Sequence, residues 1–538
     1  MSESRKTSII IVVSNNINYN IICIKSIRQY TEALGYEIVV VDNNSTDGSR
    51  QWLEQQSDIK LIHNKKEVEI PKAYNMGIEA ADKDSDIVLL SNNVKVTPRW
   101  LENLKLCLYS NEEIGVAGAI SNCYVEQNGE ASEYENIEEI LSFAEKNNVS
   151  APEKWQEKIT LSSFCMLIKR EVINKTGDFD EGFTSIDIQS VDFCMRVVSK
   201  GYRVMLCKDS FVYCYQSTLL KKSQIKLSDT LESDKRRFRE KWDFDYELCN
   251  LSTPELIELV NESVDKKMNI LEFNCKLGNN LLTIKNIYPN VKIYGLETDR
   301  KMTGVSGKIL PIAIEDFEKE YSLGLELPKE DFFDYIILGN YLDNCKDIWR
   351  TLRTIRRLLK PGGYMVAVMH NAMYYSIIES LLKGNFVYSD KSDKLISSRN
   401  RNKLFTLKDI YSMVDECGFI NPSIIYHTVQ VPEEDNKFIK NISNIFEKEL
   451  HKQFVTDEYI VKLQKDVNES SIGDDDILVE VKYALRRIEN NIDIYKNLGM
   501  IKDFYEREKL TEDELKKVIA SAVVNKSEIS ETILSYLE

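Results

Sequence analysis

The 538-residue chain reads as two successive α/β units followed by a helical region. Three observations carry that expectation. Short β-branched strands alternate with helix-spaced stretches from the start of the chain. The alternation closes near residue 245 and begins again at Met268. Beyond about residue 430, apolar residues recur at helical spacing among many Lys and Glu neighbours.

In the first unit, Ser8 to Ser14 is a buried strand, and Asn20 to Leu34 has helical spacing. Ile38 to Val41 is an apolar run of strand length that ends in Asp42. Asn43 to Gly48 is dense in turn formers, and Ser45 or Thr46 is placed to cap a helix carrying Trp52 and Leu53. Lys60 to His63 is a short strand, Ile70 to Asp82 a helix, and Ile87 to Asn93 another strand. Such alternation predicts a parallel sheet covered by helices. Ligands of open α/β sheets bind beyond the carboxyl ends of the strands, so Asp42 lies where a ligand is expected. The alternative for Asp42 is a carboxylate that merely caps its turn.

Composition is that of an ordinary globular protein, with 43% apolar and 29% charged residues. A net charge of -16, spread without an acidic tail, argues against nucleic acid or an anionic membrane as partner. No apolar run reaches membrane-spanning length and the start lacks a signal-peptide pattern, so a cytoplasmic protein is expected. The eleven cysteines form no Cys-x-x-Cys pair and read as reduced core residues. The four histidines do not cluster, which argues against a His-based metal site.

Within residues 1–245 the Ser8 strand, Val40 to Gly48, Pro71 to Gly77, Leu89 to Leu101, Cys165 to Glu171, Gly177 to Glu181 and Val191 to Arg196 follow in order. Together these motifs resemble the inverting family-2 glycosyltransferases of the GT-A fold. The resemblance implies a nucleotide-sugar donor held by Asp42, Lys72 and Asn75. It also implies a divalent cation, Mn or Mg, to neutralise the departing diphosphate, and a carboxylate base for the acceptor. At those chemical positions the chain departs. Asn93 stands where the metal-binding Asp belongs, Gln189 and Ser190 where Glu and the base Asp belong, and Cys214 where many members carry a late His. Asn brings no charge to a cation, so metal binding at Asn93 is expected to be weakened. Ser190 at its ordinary acidity cannot serve as a base, leaving Asp187 or Asp192 as stand-ins.

A helical linker, residues 246–265, opens with Ser252-Thr-Pro-Glu255, a capping-box spacing, and is expected to run to about Val264. Residues 266–430 then alternate again. Met268 to Asn274, Val291 to Glu297, Phe333 to Gly339 and Tyr364 to Met369 are strands, and the helix Leu352 to Leu359 stops at Lys360-Pro-Gly-Gly363. Asp334 to Leu338, Leu359 to Gly363, Leu381 to Phe386, Leu404 to Ile410 and Gly418-Phe419 resemble class I S-adenosylmethionine-dependent methyltransferases. Such domains are found fused behind family-2 glycosyltransferases in bacterial surface-glycan systems. The resemblance implies a cofactor held by Glu272, Gly278 and Glu297. Two glycines of the cofactor loop are replaced by Asn274 and Lys276, and Asn340 and Asn344 stand where relatives carry Asp and His. A side chain at 276 crowds the cofactor site, so S-adenosylmethionine is expected to bind poorly.

Residues 431–538 are expected to form helices that cover a domain face or meet a protein partner. The functional expectation is a glycosyltransferase-like protein of doubtful competence, acting with a nucleotide-sugar on a protein or cell-surface glycan acceptor. Its alternatives are a non-catalytic partner of an active transferase and a methyltransferase.

Overall fold

The computed structural model describes residues 5–31, 35–122, 136–215, 224–297, 302, 305, 307–308, 312–316, 321–323, 330–384, 403–445, 450–467, 481, 484–485, 488, 494–507, 510–522 and 526–537. It divides into two compact units. Met1–Ile257, Glu262–Lys267 and Asn274–Glu326 form the first, and Glu258–Asn261, Met268–Phe273 and Leu327–Glu538 the second.

The first unit is built on β1 (Thr7–Val13), β2 (Tyr36–Asp42), β3 (Ile59–His63), β4 (Asp86–Leu90), the short β5 (Val94–Lys95), β6 (Ile114–Ile120), β7 (Trp155–Lys158), β8 (Cys165–Ile168), β9 (Arg203–Phe211) and the short β10 (Tyr213–Cys214). The main sheet runs β3-β2-β1-β4-β8-β6-β9-β7, and β5 pairs antiparallel with β10. Its first four strands are parallel, with Asp42 paired to Val13 where β1 and β2 end. Ile9 to Ile11, Val39 to Val41 and Ile87 to Leu90 are fully buried because helices cover both faces. The helices of this unit include α1 (Ile17–Tyr30), α2 (Ser49–Glu54), α3 (Ile70–Ala80), α4 (Trp100–Leu108), α5 (Ile137–Asn147), α6 (Arg170–Thr176), α7 (Ile186–Ser199), α8 (Gln224–Trp242), α9 (Pro254–Glu258) and α10 (Asn279–Ile287). On α3, a Cβ at Gly77 would lie 2.4 Å from Ile10 Cγ2, so only glycine lets this helix pack so closely on β1.

Two local expectations fail here. Gly48, with φ 93°, precedes α2, and neither Ser45 nor Thr46 caps it. Both are drawn instead to the loop after β1, where Ser45 Oγ accepts from Asn15 N–H and Thr46 N–H donates to Asn15 Oδ1. The helix begun at Pro254 ends at Glu258, short of Val264. The remaining elements of this unit are β12 (Val291–Leu296), parallel to β13 (Ile312–Asp316), which pairs antiparallel with β14 (Tyr321–Leu323).

In the second unit, β11 (Met268–Phe273), β15 (Phe333–Ile337), β16 (Leu359–His370), β18 (Thr456–Lys465) and β17 (Phe419–Thr428) lie side by side in that order. The first three are parallel, and β18 is antiparallel to both neighbours. Helix Ile348–Leu358 ends as expected, but Lys360-Pro-Gly-Gly363 forms the irregular start of β16, with a register shift against Phe333 and Tyr335. β18 falls inside the stretch expected to be helical. Its Tyr-Ile-Val core, buried between β16 and β17, prefers the ladder. Helices Ile494–Glu506, Glu512–Ala522 and Lys526–Leu537 pack around a separate core that includes Leu498, Ile501, Leu515 and Ile533.

Candidate functional site

The carboxyl ends of β1, β2 and β4 are laced together by side-chain amides. Asn92 Nδ2 donates to Asn20 Oδ1 at 2.8 Å, and Asn20 Nδ2 donates to Ser49 Oγ at 2.9 Å. Asn15, Asn16 and Asn44 take left-handed φ values of 61°, 62° and 66°, which asparagine tolerates better than most residues.

Each residue singled out in the sequence has a definite place in this frame. Asp42 is fully buried, and both its oxygens are engaged. Oδ1 accepts from Ser45 N–H at 3.0 Å, and Oδ2 accepts from His63 Nδ1 at 2.8 Å. Arg50 can only donate, so His63 Nε2, 2.8 Å from Arg50 Nη1, is the acceptor and Nδ1 carries the proton to Asp42. Asn75 closes a two-way amide pair with Phe179: its Oδ1 accepts from Phe179 N–H at 2.9 Å, and its Nδ2 donates to Phe179 O at 2.8 Å. Lys72 is half-exposed and lies 3.8 Å from Glu181 Oε2.

Asn93 donates through Nδ2 to Tyr215 O at 3.0 Å and to Cys214 Sγ at 3.4 Å. Tyr215 N–H returns a bond to Asn93 O at 2.9 Å. The positions aligned with the metal ligands thus touch one another directly. Among the described residues, no group of three or more His, Cys, Asp or Glu side chains is placed to hold a metal ion. At the aligned positions, a neutral amide beside a thiol is a weaker donor set for a hard divalent cation than carboxylate oxygens.

On α7, Ser190 is buried and donates to Ile186 O at 2.6 Å, with Ser163 Oγ 2.9 Å away. Asp192 is fully buried under Arg196 Nε at 3.0 Å, Trp242 Nε1 at 3.0 Å and Lys241 Nζ at 2.8 Å, so it ties α7 to α8. The Gln189 amide is buried without a partner. Asp187, exposed in the first turn, lies on the face of Ser190, three residues before it. Close to Ser163, burial pushes the Tyr74 phenol up to about 12, against a hydrogen bond from Ser163 that lowers it. It therefore exchanges no proton near neutral pH.

The cofactor-type loop tells a parallel story. Asn274 and Lys276 have φ values of 52° and 53°, and Gly278 has 89°. The loop keeps a glycine-type backbone while two of its positions carry side chains. Lys276 N–H donates to Glu297 Oε2 at 2.7 Å, which occupies one oxygen of the acid expected to meet a ribose. Glu272 and Glu297 are both buried. In the second unit, sequence reasoning missed His370, which the structure places between Asp343 and Glu458. Its position at the end of a strand was the available signal.

A GT-A-type sheet followed by a second α/β fold with a glycine-type loop defines a protein of two transferase-type domains. Known proteins give those domains their families. A family model described as glycosyl transferase family 2 matches residues 8–177, and one described as a methyltransferase domain matches residues 242–422. The chain carries a family-2 glycosyltransferase domain followed by a methyltransferase domain. Demethylmenaquinone methyltransferase of Staphylococcus aureus strain JH9 is 27% identical over 172 residues, covering 29% of this chain and 70% of that protein. Among solved structures, GalNAc-T7 with UDP, GalNAc and Mn2+ is 13% identical with a TM-score of 0.34, covering 40% of this chain and 45% of that one. The Pyrobaculum calidifontis mannosyltransferase with GDP-Man and Mn2+ is 17% identical with a TM-score of 0.30, covering 39% of this chain and 57% of that one. The chain spans less than two thirds of either transferase. A possible histamine N-methyltransferase from Thermotoga maritima is 14% identical with a TM-score of 0.28, covering 44% of this chain and 95% of that one. At these scores the structural matches carry no functional weight.

Proposed function

We propose that the first domain is a nucleotide- or nucleotide-sugar-binding pseudotransferase. It serves glycan assembly in the cytoplasm beside an active transferase that modifies a protein or cell-surface glycan acceptor. One observation carries this reading. At the metal and base positions, the Asn93 amide nitrogen and the Ser190 hydroxyl are spent on hydrogen bonds to the scaffold. Asn93 joins β4's end to Tyr215 by hydrogen bonds, and a neutral amide offers no charge against a departing diphosphate. Ser190 has no group beside it that would make it a base, and Asp192 is locked by three donors.

Binding of a nucleotide falls to what remains: the polar loops after β1 and β2, the half-exposed Lys72, and His63 held by the buried Asp42. Methyl transfer is not part of this function. Glu272, Gly278 and Glu297 keep the cofactor positions, but Lys276 adds a side chain where close backbone approach needs none. This reading assigns the partner to the C-terminal helices, where Tyr495 is 81% exposed.

A second reading rests on Asp187. It lies on the Ser190 face of α7 and no described residue ties it down, so it is the base if transfer survives. Thermal shift with UDP, GDP and their sugars tests the main reading. Equal stabilisation in EDTA and in Mn2+ supports it, because a bound ligand stabilises by mass action whatever its chemistry. Stabilisation that requires Mn2+ overturns it, and Asp187→Asn then decides the second reading by abolishing turnover or sparing it.

A further inference from the structure

The second unit holds a polar cluster that none of this uses. His370 Nδ1 donates to Asp343 Oδ2, and its Nε2 lies 2.7 Å from Glu458 Oε1. Asp343 closes the short 3-10 helix after β15, His370 ends β16, and Glu458 stands directly opposite His370 on β18. All three sit at the carboxyl edge of β15 and β16, where open α/β sheets hold ligands. Asp343 and His370 are 0% and 4% exposed, whereas Glu458 keeps 30% of its side chain in water.

Two acceptors in this cluster have no donor. Oδ1 of Asp343 and Oδ1 of Asn344 are buried without a hydrogen-bond partner. A buried acceptor is costly while unpaired, so neighbouring residues carrying two of them point to a ligand that brings donors. The Asp343 carboxylate also fixes the imidazole tautomer and turns Nε2 towards Glu458, the arrangement by which a carboxylate orients a proton-accepting histidine.

We propose that Asp343, Asn344 and His370 form a binding site for a small polyol, with Glu458 as a displaceable cover over His370 Nε2. One hydroxyl donates to Nε2 once the Glu458 carboxylate turns into water. Its neighbours donate to Oδ1 of Asp343 and Oδ1 of Asn344. The three acceptors belong to three side chains, and a polyol meets them with separate hydroxyls. The site lies wholly in the second unit and stands whether or not the first domain turns over a sugar.

Carbethoxylation by diethyl pyrocarbonate, mapped by mass spectrometry on the full chain, tests the site. The reagent needs an unprotonated, reachable imidazole nitrogen, and the chain has only four histidines to resolve. Glu458→Ala, at a partly exposed position, is expected to speed modification of His370 about tenfold, because the carboxylate no longer covers Nε2. His63 and His451 serve as unchanged controls. Methyl α-D-glucopyranoside, the polyol probe, is expected to slow His370 in that variant and leave the controls alone. Adding Asp343→Asn should abolish the acceleration by releasing the tautomer; if that double variant does not fold, the other two arms decide alone. An unreactive His370 in Glu458→Ala overturns the site, and acceleration without protection by the probe overturns the polyol assignment.

Discussion

Asn93→Asp combined with Cys214→His converts the hydrogen-bonded contact at the edge of the first sheet into a metal-type ligand pair. The Asn93 amide donates at 3.0 Å to Tyr215 O and at 3.4 Å to Cys214 Sγ. A carboxylate donates nothing, so the change loses a hydrogen bond worth about 1 kcal/mol and sets two acceptors face to face at roughly equal further cost. Cys214 is 2% exposed, and the larger imidazole overfills its site at about 1–3 kcal/mol. Without metal, the double variant should therefore be less stable by about 3–5 kcal/mol. A cation at a hundred times its Kd returns about 2.7 kcal/mol. Four of the five tryptophans, Trp52, Trp100, Trp155 and Trp242, lie in the first domain, so urea unfolding followed by intrinsic fluorescence reports on it. The wild-type midpoint should be the same in EDTA and Mn2+, while the variant's should be low in EDTA and recover in Mn2+. A wild type that Mn2+ stabilises as much as the variant refutes the reasoning.

Asp192→Asn leaves Arg196 and Lys241 without their buried partner and should cost about 3–5 kcal/mol in chemical denaturation; a cost under about 1 kcal/mol contradicts the tie between α7 and α8. Burial alone would raise the Asp180 carboxyl, but Lys241, the Gly182 N–H and Arg237 outweigh it and hold it at about 2, below its ordinary 3.8. A depressed folded-state value contributes stability above pH 3.8 that is lost as pH falls towards 2, here about 2 kcal/mol. The difference between wild type and Asp180→Asn in urea midpoints should accordingly be largest near neutral pH and shrink below pH 4, and a pH-independent difference contradicts the assignment. Asn274→Gly with Lys276→Gly removes two left-handed non-glycine residues at φ 52° and 53° and should stabilise the loop by about 1 kcal/mol each. Calorimetry should then show S-adenosylmethionine heat that wild type lacks, and sub-micromolar binding by wild type overturns the crowding argument.

The strands were legible because β-branched runs such as Ile9 to Ile11 and Val39 to Val41 have no other comfortable structure once buried on both faces. What escaped was long-range. β18 was hidden because Thr456–Lys465 becomes a strand only by pairing with β16 and β17, far from it in sequence. The cap at α2 failed because Asn15, thirty residues away, takes both Ser45 and Thr46. In the site, motif spacing gave the departures at Asn93, Ser190 and Cys214. It did not give what those side chains do instead, since Tyr215 and Ser163 come from distant parts of the chain and only Ile186, one turn before Ser190 on α7, is local. Asp42 is the sharpest case. As a strand-end carboxylate it reads as a ligand contact, yet only the fold puts His63 beside it at the end of β3 and occupies both of its oxygens.

The central claim is that the first domain binds without metal-assisted transfer. Release of UDP or GDP from a panel of nucleotide-sugars, measured with the full chain in saturating Mn2+ and in EDTA, tests it most directly. The account predicts release no faster than buffer in either condition, and no change on Ser190→Ala. Robust Mn2+-stimulated release that Asn93→Ala or Ser190→Ala abolishes would contradict it.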